Sequence, residues 1–341
     1  MSNAEQEFSD GAKKFFKRCK IDPYAPTIHM RADNGVTNDD VQHLKEIRNI
    51  KHLWFTGGEH LTSEALNDLP TLDTVHELSI YDMPDIDKGI AAIERLHNVK
   101  SITISNIDIT DKALKHIGNL KNLEEITAEG KCSIMSSSMA HLKSLDKLKT
   151  LNIEDGSQIT GLDEVGKLVG LKKLSIYDNV AFSDQEINKL ENLHELESLA
   201  ISGDNIGDET AKLASNLPNI KDLSIDNNLT DEGMKHIGKI AGLETLYIAH
   251  NKQITDRGMN HLKKLHNLVQ VEEYDKDILP NVSKSKFDEI LDFCRNNSGR
   301  IARTHHSKYG GEVVGVGYAH NPSNAIDDFV IDAGMYRPRG K

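Results

Sequence analysis

The sequence predicts an α/β repeat fold in which strand, turn and short-helix units stack and share one continuous core. Three observations predict it. First, "LTDEGMKHIGKI" at 229–240 recurs as "ITDRGMNHLKKL" at 254–265, and upstream as "LTSEALNDL" at 61–69 and "ITDKALKHI" at 109–117. Second, units starting near Asn49, Asp73, His97, Lys121, Asp146, Val169, His194, Pro218, Ala241 and His266 open with apolar residues spaced LxxLxI, for example Leu171, Leu174 and Ile176. The alternation that ends this spacing has the period of a strand. Third, the apolar positions then change to helical spacing, as in Met234, Ile237 and Ile240. One such unit cannot bury its apolar faces alone, but stacked copies can.

At the start of the chain, "FSDGAKKFFKRC" at 8–19 places Phe8, Ala12, Phe15, Phe16 and Cys19 on one helical stripe, which suits residues 1–23 to a helical cap over the open end of the array. The repeats are expected over residues 24–280, in ten to eleven units. The first of these is degenerate, with "VTNDDVQHLKEI" echoing the phrase. A polar turn follows each strand, often with Asn, as at Asn106, Asn179, Asn205, Asn227 and Asn251. Thr62, Thr110, Ser183, Thr230 and Thr255 stand where a helix N-cap is wanted, and "SDQE" at 183–186 reads as a capping box. Ala128 and Glu273 break the apolar pattern, and "CSIMSSSMA" at 132–140 has no clear cap, so the unit there is expected to be irregular.

Residues 281–341 are expected to be a C-terminal helix followed by a strand-rich cap or tail. "SKFDEILDFCRNN" carries Phe287, Ile290, Leu291 and Cys294 on a stripe. Two strands about Gly310 and Gly311 are expected beyond it.

The LxxLxI strand followed by "ITDxGL"-like helices resembles the leucine-rich repeat family over most of the chain. The variant is similar to the 24-residue Gly/Ala-Leu type of bacterial repeat proteins, including host-directed effectors. The resemblance implies a horseshoe solenoid with a parallel sheet on the concave face and short helices on the convex face. It also implies a non-enzymatic protein-binding module, with a bacterial effector or effector regulator as the specific expectation.

Composition bounds the function. The formal charge is −12, and about −15 of it falls in residues 23–295, a body that would repel nucleic acid and anionic lipid. No apolar run approaches the length of a membrane span, and the N-terminus has no secretory pattern, so a cytoplasmic location, or delivery to a host by a route needing no signal peptide, is expected. Cys19, Cys132 and Cys294 lie far apart, which points to neither a zinc site nor a disulfide framework. No cofactor and no metal are expected, and the chain is expected to be a monomer. His43, His116, His141, His236 and His261 recur at one helix position, and they are read as partly solvated residues rather than ligands. The alternative to a binding module is a small catalytic or metal-dependent activity in the C-terminal segment, around "THHSK" at 304–308 with His320, Asp327 and Asp328. The repeats would then serve as a targeting arm.

If the leucines and isoleucines of LxxLxI point inward, the residues between and beside them point out of the sheet. Those columns contain Arg31, Trp54, Glu77, Tyr81, Glu125, Glu129, Glu154, Lys173, Tyr177, Asp222, Asp226, Tyr247 and Tyr274, an aromatic and acidic surface. A protein partner with a basic surface is the expected ligand. Replacing outward Ser175 or Ser224 is expected to cost little stability.

Overall fold

The computed structural model describes residues 8–154, 157–177, 182–272 and 279–297. An N-terminal helix, α1 (Asp10–Cys19), precedes the array. The strands are β1 (Thr27–Arg31), β2 (His52–Thr56), β3 (Glu77–Tyr81), β4 (Ser101–Ser105), β5 (Glu125–Glu129), β6 (Ser133–Ile134), β7 (Thr150–Ile153), β8 (Gln158–Ile159), β9 (Lys173–Ile176), β10 (Ser198–Gly207), β11 (Asp222–Asn228), β12 (Thr245–Tyr247) and β13 (Gln270–Glu272). The α-helices after α1 are α2 (Asp111–Ile117), α3 (Asp208–Ala214), α4 (Asp231–Ile237), α5 (Asp256–Met259) and α6 (Lys284–Asn297). Eleven strands form one sheet in chain order, all pairs parallel, while β6 and β8 make a separate two-stranded sheet. This is the leucine-rich repeat solenoid, with the sheet on its concave side and the short helices on its convex side.

Register follows from the apolar pattern. Leu53, Leu78, Ile102, Ile126, Leu151, Leu174, Leu199, Leu223, Leu246 and Val271 align strand to strand. All are buried, and a one-residue slip would turn the whole row to water. Ala128 breaks the pattern but stays inside, at 1% exposure, and the buried Cys132 next to it donates its Sγ–H to Glu129 O at 3.1 Å. The irregular unit expected there takes the form of β6 followed by a 3-10 helix at 136–144.

The helical segments differ from the expectation. Many are 3-10 helices, among them residues 38–46, 63–68, 90–95, 136–144 and 184–190. Apolar residues three apart, such as Val41, Leu44 and Ile47, stay in line at three residues per turn, so the same spacing serves a 3-10 helix.

The repeated phrase is an interlock between neighbouring units. Thr230 Oγ1 accepts from the N–H of Glu232, and Thr255 Oγ1 from that of Arg257, each capping its own helix. The Asp that follows reaches into the next unit. Asp208 accepts from Thr230 N–H at 2.8 Å, Asp231 from Thr255 N–H at 2.8 Å, and Asp256 from Ser283 N–H at 2.7 Å. The Gly of the phrase leaves room for that carboxylate. A Cβ on Gly233 would overlap Asp208 Oδ1, and one on Gly258 would overlap Asp231 Oδ1. Thr110 also caps its helix, and Glu186 accepts from Ser183 N–H at 2.9 Å to close the capping box. Thr62 departs from this pattern, because its hydroxyl accepts from Asn38 of the previous unit instead of capping a helix. Asp231→Ala strands the Thr255 N–H and hydroxyl, and is expected to cost about 1–2 kcal/mol in a urea titration. A loss no larger than that of Lys235→Ala would show that the interlock contributes nothing.

The ends are covered by apolar helices. Ala12, Phe15, Phe16 and Cys19 of α1 are buried with Phe8. On α6, Ile290 and Cys294 are buried, whereas Phe287, Leu291 and Phe293 are half-buried. The stripe read from the sequence is therefore narrower here. The hairpin and the histidine cluster expected beyond residue 297 lie outside the described residues.

Candidate functional site: the outward face of the sheet

The outward positions of the large sheet, counting the residue just past the shorter strands, fall in three columns that behave differently. The central column runs Ser79, Thr103, Thr127, Asn152, Ser175, Ala200 and Ser224, and these side chains are almost completely covered. Ser175 and Ser224 lie on the outward side as expected, yet each is only 2% exposed. They do point out of the core, but they are short and sit low between the longer side chains of the flanking columns. Small polar residues thus make a floor between two rows of larger groups. Alternation alone could not reveal this, because cover depends on neighbouring strands whose paired residues are 23 to 25 positions away.

At the N-terminal end the floor gives way to rings. Trp54 lies between His29, with centroids 4.6 Å apart and edge-on, and Tyr81, at 6.4 Å. All three are half-buried. Burial lowers the His29 pKa, helped by Arg31, so the ring stays neutral and packs as an aromatic. Burial raises the Tyr81 pKa, with Glu129 adding to the shift. The Trp54 indole N–H is covered and has no acceptor among the described residues. A ligand carbonyl admitted by a small ring movement would remove that polar cost.

The carboxylates follow along the sheet. Glu77 accepts from His52 Nδ1 at 2.6 Å, and Glu125 from Asn152 Nδ2 at 3.4 Å. The Glu125 pKa is raised, first by burial and then by Glu77 and Glu154, against the opposing pull of Lys173. A carboxyl raised on folding costs stability above its folded pKa, and that cost is absent below the ordinary carboxylate value. Glu125→Gln is therefore expected to raise the thermal midpoint at neutral pH, with the gain fading as pH falls through the carboxylate range. A gain that persists unchanged in acid would show another cause.

The remaining expected residues take the following places. Arg31 is exposed and committed to Asp33 at 2.7 Å. Glu129, Glu154, Lys173, Tyr177, Asp222 and Tyr247 are half-buried on the same face. Asp226 pairs with His250 at 3.0 Å, a partner the strand pattern did not show because His250 lies in the turn after β12 at positive φ. Tyr274 lies outside the described residues, as do His305, His306, His320, Asp327 and Asp328.

The repeated histidines on the helices have acidic neighbours. His116 Nδ1 lies 2.7 Å from Glu94, and His141 Nε2 lies 3.0 Å from Asp111. Among the described residues no group of three or more His, Cys, Asp or Glu is arranged to hold a metal. A shallow cleft on the helix side is lined by Asp231, Glu232, Lys235, Thr255, Arg257 and His261. Its Asp231 is already engaged with Thr255 and Arg257, and Lys235 with Glu232.

Comparison with solved structures shows the same architecture elsewhere. The chain is similar to an internalin (inlF) from Listeria monocytogenes, at 20% identity and a TM-score of 0.51, covering 71% of this chain and 72% of that one. It is also similar, at 17% identity and a TM-score of 0.41, to a chain in an octameric complex of latrophilin 3, Unc5D and FLRT2, covering 66% of this chain and 74% of that one. A chain in a complex of Rad7 and Elc1 in yeast matches at 15% identity and a TM-score of 0.43, covering 70% of this chain and 60% of that one. The likeness to the internalin is one of fold. No curated protein matches the sequence significantly. Residues 90–301, more than half of the chain, match the family described as leucine-rich repeat region. With the eleven parallel strands in register and the interlocked repeat phrase, that match establishes that the chain belongs to the leucine-rich repeat family.

Proposed function

We propose that the chain is a protein-binding module that takes a partner with a basic surface on the outward face of its sheet. The observation that carries this is the juxtaposition of half-exposed Trp54 and Tyr81 with Glu77, Glu125, Glu129 and Glu154 on a rigid parallel sheet whose floor is already closed. Tyr and Trp supply large contact area at low entropic cost, and they are enriched at binding hot spots. The carboxylates steer a basic partner and disfavour nucleic acid. Among the described residues no helix is long and apolar enough to cross a membrane. From the repeat resemblance we extend the reading to a bacterial effector or effector regulator, cytoplasmic or delivered to a host, that acts as a monomer by occupying its partner's surface. Recovery of the native protein only with the cell envelope would oppose that extension.

The test uses the partner recovered by affinity capture. Reversing Glu125, Glu129 and Glu154 to Lys is expected to slow association by roughly tenfold or more and to flatten its salt dependence. Trp54→Ala and Tyr177→Ala are each expected to weaken binding by about 1–4 kcal/mol with unfolding midpoints nearly unchanged. Unchanged association kinetics in the triple reversal would remove the sheet face from consideration.

A further inference from the structure

We infer that the sheet face reads an extended polypeptide lying across the strands, with an aromatic or large apolar residue at Trp54 and an arginine four positions away at the Glu125 carboxylate. This rests on the proposed function and specifies the ligand of that same face. Trp54 is on β2 and Glu125 on β5, with β3 and β4 between them. Three strand spacings make the lateral separation about 14 Å, and because Glu125 is in register with His52, two residues before Trp54, the direct separation is about 16 Å, the difference lying within the reach of a long side chain. An extended peptide rises about 3.3 Å per residue and alternates its faces, so residues i and i+4 lie about 13 Å apart and point the same way.

The two ends differ in chemistry. At Trp54 the walls are His29 and Tyr81, which form an aromatic slot. At Glu125 the neighbouring charges are Glu77 and Glu154, with Lys173 the opposing cation, so negative charge is in excess. Another cation there would offset the burial of the Glu125 carboxylate and its repulsion by Glu77 and Glu154. A guanidinium fits better than an ammonium because its planar fork meets a carboxylate with two parallel hydrogen bonds. Between the ends, the covered floor of Ser79 and Thr103 leaves the backbone of such a segment a smooth path.

Trp54 is the one tryptophan in the sequence, so its fluorescence in the full chain reports this end directly. The probes are acetyl-Phe-Gly-Gly-Gly-Arg-amide and its reversed sequence, because the chain direction of the ligand is open. Controls are the same peptides with citrulline in place of Arg, and acetyl-Phe-Arg-amide with no spacer. One spaced Arg peptide is expected to bind roughly tenfold tighter than its citrulline form and than the unspaced peptide. Glu125→Gln should remove most of that advantage and leave the citrulline peptide unaffected. Glu232→Gln, on the helix side, should change neither.

Equal binding of Arg and citrulline peptides, no preference for spacing, or no Trp54 response up to the solubility limit would each overturn the inference. The parent proposal fails separately. If a captured partner depends on Glu125, Glu129 and Glu154 while the peptides show no preference, only the spacing rule is lost. If that partner ignores the carboxylates, the sheet face itself is lost whatever the peptides do.

Discussion

Asn251→Ala is expected to lower the unfolding free energy by about 3–5 kcal/mol, far more than any other turn asparagine. Asn251 is fully buried between two units. Its Nδ2 donates to Ile225 O at 2.7 Å, Ile248 O at 3.0 Å and Ala249 O at 3.1 Å, while its Oδ1 accepts from Leu229 N–H at 2.6 Å. Alanine leaves these backbone groups in a site that water reaches only by opening the stack. A buried polar group without a partner costs about 1–3 kcal/mol, and several are stranded together here. Asn205, which is exposed near the C-terminal end of β10, provides the control, and its replacement should lower the unfolding free energy by no more than about 0.5 kcal/mol. Similar losses at both positions would show that the buried network does not hold these units together.

Leu174→Ala and Leu223→Ala are each expected to cost about 2–5 kcal/mol, the range for a buried leucine whose cavity only partly collapses. Both are at 0% exposure in the inner row of β9 and β11. The adjacent Ser175 and Ser224 are nearly as inaccessible, yet Ser→Ala at either should cost less than about 1 kcal/mol. They are covered from outside by neighbouring side chains, and removing one hydroxyl leaves no apolar cavity. The comparison therefore separates burial in the core from cover on the sheet face. Equal losses from the leucine and serine substitutions would show that the register, and every outward assignment with it, is wrong.

Several features of this chain could be read from its sequence because they depend on local spacing. The LxxLxI period sets the inner row from Leu53 to Val271, and through it the outward columns that hold Trp54, Tyr81 and the glutamates. The caps at Thr110, Thr230 and Thr255 and the box at Ser183 and Glu186 were legible for the same reason, since each is made within four residues.

Features made between units were harder to see. Nothing in "LTDEGM" alone says that Asp231 serves Thr255 of the next repeat, or that Gly258 is small because Asp231 occupies the space. Asn251 could not be told from Asn106, which follows β4 in an equally polar turn but is exposed and adopts a positive φ of 55°. Helix type was also hidden, since over six residues the periods 3.0 and 3.6 place apolar residues almost alike. The closed floor of serines and threonines depends on flanking side chains in three successive strands, which a single repeat does not record.

Binding on the outward face of the sheet and binding on the helix side can be told apart with three immobilised forms of the chain. Immobilised wild-type chain, a Trp54→Ala, Glu125→Lys sheet-face variant and a Lys115→Ala, Lys235→Ala helix-face variant are exposed to the same cell extract, and bound proteins are quantified by mass spectrometry. Lys115 and Lys235 are exposed on the helix side and provide the matched control. At least one saturably bound protein is expected to be lost from the sheet-face variant and kept at wild-type level by the helix-face variant. A bound protein retained by the sheet-face variant and lost from the helix-face variant would contradict binding on the sheet face.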